Sequence, residues 1–128
     1  MAQRLTKAEE EIMLILWKLK EAIVRDVIGN LEDPDTPYTT VSTVIRILEK
    51  KGFVGHRAVG TTYLYYPLLS KKEYLKGYLK GIAKNYFDGS SSNLFTFFAK
   101  ESDLSVGELK SLIEEVESEL EKENKHGK

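Results

Sequence analysis

Pro37-Tyr38-Thr39-Thr40-Val41-Ser42-Thr43-Val44-Ile45-Arg46-Ile47-Leu48-Glu49-Lys50-Lys51-Gly52 is the stretch on which the reading of the whole chain turns. Val41, Val44, Ile45 and Leu48 fall at i, i+3, i+4 and i+7, one buried face of a helix, with Ile47 beside them. Thr39 or Thr40 is expected to cap its start. Gly52 is expected to stop it after Lys50 and Lys51, whose charges suit the negative C-terminal end. The opposite face opens with Thr39, Thr40, Ser42 and Thr43, and Arg46 follows one turn later. β-branched and hydroxyl residues are weak helix formers, so propensity does not account for this run. Two readings stand at this point. One is a cap that spills over into a polar face. The other is a helix whose first turns carry short donors and acceptors into a DNA major groove, reaching base edges, thymine methyls or phosphates.

Upstream, Thr6 and Glu9 have the spacing of a capping box, in which each side chain satisfies the other's free backbone N–H. Ile12, Met13, Ile15, Leu16 and Trp17 then build the core face of a first helix that ends near Leu19. Glu21 to Leu31 reads as a second helix with Ile23, Val24, Val27, Ile28 and Leu31 as its stripe. Glu32-Asp33-Pro34-Asp35-Thr36-Pro37 is a turn.

Downstream, Phe53 to Ala58 and Thr62 to Leu68 are β-formers around the turn Val59-Gly60-Thr61, a β-hairpin. Three helices and then a hairpin is the order of a winged helix-turn-helix, with the hairpin as the wing. Its tip is expected over the sugar-phosphate backbone or minor groove, with Arg57, Thr61 and Thr62 placed for phosphates. His56 reads as a strand surface residue.

Ser70-x-x-Glu73 is a second capping box and opens a long helix to about Asp88. Tyr74, Leu75, Tyr78, Leu79, Ile82, Ala83, Tyr86 and Phe87 recur in pairs every four residues. After the turn 88–93, Leu94 to Lys100 is a short apolar helix. Ser105-x-x-Glu108 is a third capping box, and Val106, Leu109, Ile113, Val116 and Leu120 form a heptad seam. Burying one large apolar side chain is worth roughly 1.5–3 kcal/mol, and residues 73–120 have little non-helical core to pack on. A homodimer in which these helices pack against their copies is the economical solution, with Tyr74, Tyr78, Leu79, Ile82, Tyr86, Leu109, Ile113, Val116 and Leu120 at the interface. An intrachain bundle is the alternative. The expected organisation is mainly α with a small hairpin: a winged-helix domain over 1–70, a helical dimerisation region over 71–124, and a frayed tail over 125–128.

Composition narrows the class. With 41% apolar and 30% charged residues the chain reads as a soluble globular protein. No apolar run approaches the roughly 20 residues that span a bilayer, and glutamates interrupt the N-terminal stretch where a signal core would lie. A cytoplasmic protein without membrane insertion is expected. There are no cysteines and two histidines, which removes a disulfide framework, a thiolate metal site and a catalytic cysteine; no metal and no cofactor is expected. Net charge is −1, yet residues 1–72 hold 11 basic and 9 acidic side chains while residues 101–128 hold 4 and 9. The net charge taken whole argues against a nucleic-acid binder, and this mild asymmetry permits DNA binding by the front half without demanding it. No Ser/His/Asp, Cys/His, paired-carboxylate or phosphate-loop arrangement is visible, so an enzyme is not expected.

Leu5-Thr6-x-x-Glu9-x-x-Ile12-Met13-x-x-Leu16-Trp17, Tyr38-Thr39-Thr40-Val41-x-Thr43-Val44, Lys50-Lys51-Gly52 and Gly60-x-x-Tyr63-x-Tyr65-x-Pro67-Leu68 together resemble the penicillinase-repressor family (BlaI/MecI type, related to the copper-responsive CopY repressors). The resemblance is close over 5–73 and looser over 74–120. It implies a homodimeric transcriptional repressor on an inverted-repeat operator in double-stranded DNA, in the best-studied members silencing antibiotic-resistance genes. There a membrane sensor metallopeptidase triggers cleavage of the repressor. Carried over, Thr39, Thr40, Ser42, Thr43 and Arg46 fall on the DNA-facing part of the recognition helix, and Arg57, Thr61 and Tyr63 fall near the backbone; Lys50 is expected among the DNA-binding residues as well.

Three departures stand out. Ile47 replaces an arginine that is usual in the family, with Arg46 before it. Thr61 follows the wing glycine where an arginine is common. Phe97-Phe98 occupies the cleavage region in place of an Asn-Phe bond. The cysteine pairs of the copper-type relatives are absent. Two other classes of function are carried alongside: a winged-helix regulator with a small ligand held by the aromatic cluster, and a winged-helix protein-interaction module that binds no DNA.

Overall fold

The computed structural model describes residues 4–126. Its order is α1 (Lys7–Leu19), α2 (Val24–Asn30), α3 (Tyr38–Lys50), β1 (Val54–Val59), β2 (Thr62–Pro67), α4 (Lys71–Phe87), α5 (Ser91–Glu101) and α6 (Val106–His126). This is the expected winged helix followed by helices. Compact packing divides the chain into Met1–Leu79 and Lys80–Lys128, so the first turns of α4 belong with the winged unit and the division lies later than residue 70.

In the first unit, α1, α2, α3 and the hairpin enclose one core. Met13, Leu16, Val27, Val41, Ile45, Leu48 and Val54 are wholly buried in it. The capping box at α1 forms as read, with Thr6 N donating to Glu9 Oε1 (2.9 Å) and Glu9 N to Thr6 Oγ1 (3.2 Å). Its other oxygen, Oε2, accepts from Lys51 Nζ at 2.8 Å. Glu9 is the buried charged residue of this core, so one carboxylate both caps α1 and holds the end of α3. Burial by itself would raise the Glu9 carboxyl; the Lys51 ammonium and the Thr6 hydrogen bonds outweigh it and hold the carboxyl below its ordinary range.

The second helix is shorter than expected. Ala22 pairs with Tyr65 across an isolated antiparallel bridge (Ala22 N to Tyr65 O 2.9 Å, Tyr65 N to Ala22 O 2.8 Å). Those two backbone bonds hold Ala22 extended, Lys20 turns the chain at φ 74, and Ile23 N donates to Asp26 Oδ2 to start α2 at Val24. The start of α3 also differs. Its N-cap is Pro37, with no side-chain cap, so Thr39 and Thr40 lie inside the first turn instead of capping it. The stop is as read: Gly52 at φ 88 lets Phe53 N reach Leu48 O (2.9 Å) and Gly52 N reach Glu49 O (3.0 Å), a Schellman closure.

The hairpin pairs Val54 with Pro67 through Val59 with Thr62, and Gly60 takes φ 64 at the tip. Trp17 Nε1 donates to Leu69 O at 2.8 Å and anchors the segment leaving β2. The Ser70–Glu73 capping box then opens α4.

In the second unit, Asp88 and Gly89 in left-handed conformations end α4. Ser90 accepts from Asn93 N and starts α5 at Ser91, three residues earlier than Leu94, because the hydroxyl cap lies upstream of the apolar run. The Ser105–Glu108 box opens α6, and those same bonds to Ser105 lower the Glu108 carboxyl. α6 continues to His126, past the point expected to fray; Gly127 and Lys128 lie outside the described residues.

Candidate nucleic-acid interface

α3 has two faces with different tasks. Val41, Ile45 and Leu48 are buried and fix the helix against α1 and α2. Thr39, Thr40, Thr43, Arg46 and Lys50 are exposed, and Ser42 is half-buried at the edge. Of the residues expected on the recognition surface, all but Ser42 are thus open to solvent. Lys50 sits in the last turn of the helix, and Lys51, the next residue, is held by Glu9.

Arg57, Thr61 and Tyr63 on the hairpin are also exposed. Arg57 Nη2 donates to Glu21 Oε1 at 3.2 Å, an exposed pair worth little and easily exchanged for a phosphate. Tyr63 presents its ring, 53% exposed, and packs one side on His56 at 4.5 Å between centroids.

A contact that sequence reasoning missed joins the two elements. His56 Nδ1 of β1 lies in hydrogen-bond contact with Glu49 Oε2 of the last turn of α3. The His56 ring also packs on Tyr65 at 5.8 Å. From sequence His56 reads as a strand surface residue, and Glu49 is given no role. The available signal was their position on either side of the Gly52 turn, which folds β1 back along α3. Burial, and then the Glu49 carboxylate, push the Tyr65 hydroxyl up, so it stays neutral under this clasp. Arg25 was also missed. Its guanidinium lies 5.9 Å from the centre of the exposed Tyr38 ring, placing a cation beside the first residue of α3.

The residues expected at a dimer interface fall into two groups. Tyr74 is a correction: it is 4% exposed inside the winged core. Its ring packs on Trp17 (5.8 Å) and Phe53 (6.1 Å), and its hydroxyl accepts from Leu5 N at 3.2 Å. The start of α4 thus sets this ring between Trp17 of α1 and Phe53 just before β1, so this aromatic completes the core of its own chain. Tyr78 is half-buried, stacked on Tyr74, with Arg4 over its ring. By contrast Leu79, Tyr86, Ile113, Val116 and Leu120 are exposed, and Ile82 and Leu109 are half-buried. Phe97 and Phe98, the expected cleavage region, both lie exposed on α5; Phe97 packs one edge on Phe87 at 5.5 Å.

The first unit is therefore a winged helix that presents a hydroxyl-rich, basic helix face beside a clasped hairpin. The penicillinase repressor family model matches residues 5–118, and the chain belongs to that family. It is 25% identical over 116 residues to the penicillinase repressor of Bacillus licheniformis, covering 88% of this chain and 91% of that protein. It is 28% identical over 109 residues to the methicillin resistance regulatory protein MecI of Staphylococcus aureus strain N315, covering 84% and 89%. A solution structure of the DNA-binding domain of the repressor BlaI superposes with TM-score 0.49 at 28% identity, covering 58% of this chain and 94% of that one.

Proposed function

We propose that the protein is a dimeric, sequence-specific DNA-binding transcriptional repressor, acting in the cytoplasm on an inverted-repeat operator. The observation that carries this reading is α3 itself. One face is wholly core, while the other holds Thr39, Thr40, Thr43, Arg46 and Lys50 free at the surface. Hydroxyls and an arginine on such a face suit base edges, and lysine and arginine suit phosphates. Arg57, Thr61 and Tyr63 extend the contact along the backbone, and the Glu49–His56 clasp sets the wing's position against the reading helix. Family membership supports the same reading, since the relatives bear the names of a repressor and a regulatory protein. It also argues against an enzyme.

Dimerisation is supported by the apolar side chains left open on α5 and α6, among them Phe95, Val106, Ile113, Val116 and Leu120. In this proposal the winged unit reads DNA and the helices after it join two chains. Induction separates the chains and so raises the concentration needed for binding. Control of antibiotic-resistance genes and a membrane sensor metallopeptidase as partner belong to the same proposal. The exposure of Phe97 and Phe98 makes that segment accessible to a protease, although its bond is not the family's usual one.

Selection of bound duplexes from a random DNA library by the full chain tests the reading. Enrichment of an inverted repeat with half-sites roughly 34 Å apart, or a multiple of that, is expected. Enrichment of nothing, with dimers present, would move the assignment to a protein-binding module.

A further inference from the structure

We infer that Ile47 is a specificity-determining residue that reads a thymine 5-methyl group in each half-site. The inference rests on the DNA-binding reading above. Ile47 is 42% exposed on α3. The half-buried Val44 of the same helix packs against the core, whereas Ile47 takes no part in that cluster. On the helix it follows Thr40 and Thr43 at steps of three and four residues, and Lys50 comes three further. These four therefore form one ridge along the surface. Thr40 and Thr43 also carry γ-methyls, so Ile47 makes the ridge apolar just before its basic end.

The chemistry of the major groove then selects what this side chain can meet. Guanine and adenine present N7, O6 or the N6 amine there, and cytosine presents its N4 amine. An isoleucine pressed against any of these buries a polar group without a partner. The thymine methyl is the apolar feature of that surface, and contact with it removes water from both sides. A substitution of thymine by deoxyuridine deletes that methyl and leaves every hydrogen-bonding group in place.

The test uses the duplex selected by the full-length protein. Each thymine of one half-site is replaced in turn by deoxyuridine, and binding is measured at fixed salt with the wild type, Ile47→Ala and Ile47→Val. One position should weaken wild-type binding about fourfold, the value of burying a single methyl-sized group. Ile47→Ala should bind the thymine duplex more weakly and show no further loss with deoxyuridine at that position, while Ile47→Val should retain most of the discrimination. Circular dichroism and sedimentation of the variants check that fold and dimer are intact. A wild type indifferent to every deoxyuridine would overturn the role of Ile47 while leaving DNA binding standing. So would a deoxyuridine penalty that persists undiminished in Ile47→Ala, because the methyl would then be read by Thr40 or Thr43. Failure to select any duplex would instead defeat the DNA-binding reading itself.

Discussion

Tyr74 separates two accounts of α4, one in which its aromatic face is dimer surface and one in which it closes the winged core. The ring is 4% exposed, between Trp17 at 5.8 Å and Phe53 at 6.1 Å, and its hydroxyl accepts the Leu5 amide at 3.2 Å. Tyr74→Phe keeps the ring and deletes that acceptor. Leaving the buried Leu5 N–H without a partner should cost about 1–2 kcal/mol. Tyr74→Ala removes the ring as well, and aromatic-to-alanine changes in cores cost about 3–5 kcal/mol. Urea unfolding at equal protein concentrations reads both losses, and sedimentation under native conditions reads the monomer–dimer equilibrium. Tyr74→Phe should shift the urea midpoint with its slope unchanged and leave the dimer dissociation constant where it was. A Tyr74→Phe protein as stable as wild type but weaker as a dimer would refute the placement of this residue in the core.

Glu9→Gln leaves the Lys51 ammonium, 30% exposed, without its partner. It should destabilise the winged unit by about 2 kcal/mol at pH 7, less than a fully buried pair would. Because the folded-state Glu9 carboxyl lies below its ordinary 4.5, its contribution is complete above that pH and fades as pH falls through the lower folded value. Urea midpoints measured from pH 7 down to 3 should therefore converge between wild type and Glu9→Gln. Arg46→Ala should weaken binding to the selected duplex about tenfold with the dimer intact, and Lys50→Ala should reduce the salt slope by about 1, both read by titration at several salt concentrations. Ile113→Asp combined with Val116→Asp should give a folded monomer in sedimentation with poor DNA affinity; a persistent dimer would remove the α6 seam from the interface.

Local signals were the legible part of this fold. The capping boxes at Thr6, Ser70 and Ser105, the Gly52 stop and the Gly60 turn all depend on residues within a few positions of one another, and each formed as read. Two local starts also fall away from their expected positions, at the Pro37 cap of α3 and the Ser90 cap of α5; the rest of what escaped depends on distant partners. Ala22 is extended because Tyr65 lies beside it, and nothing near Ala22 announces that strand. The Tyr74 stripe marked an apolar face but not which surface would cover it. On the candidate site, helical periodicity separated the core face of α3 from the exposed one. The Glu49–His56 clasp depends on how the Gly52 turn lays β1 against α3, which no periodicity encodes.

The most direct test of the account is sedimentation of the full chain with the selected duplex at low and high salt. Two chains per duplex at low salt, released as salt rises because phosphate contacts supply much of the affinity, is the predicted result. A dimer that never sediments with DNA at either salt concentration would contradict it.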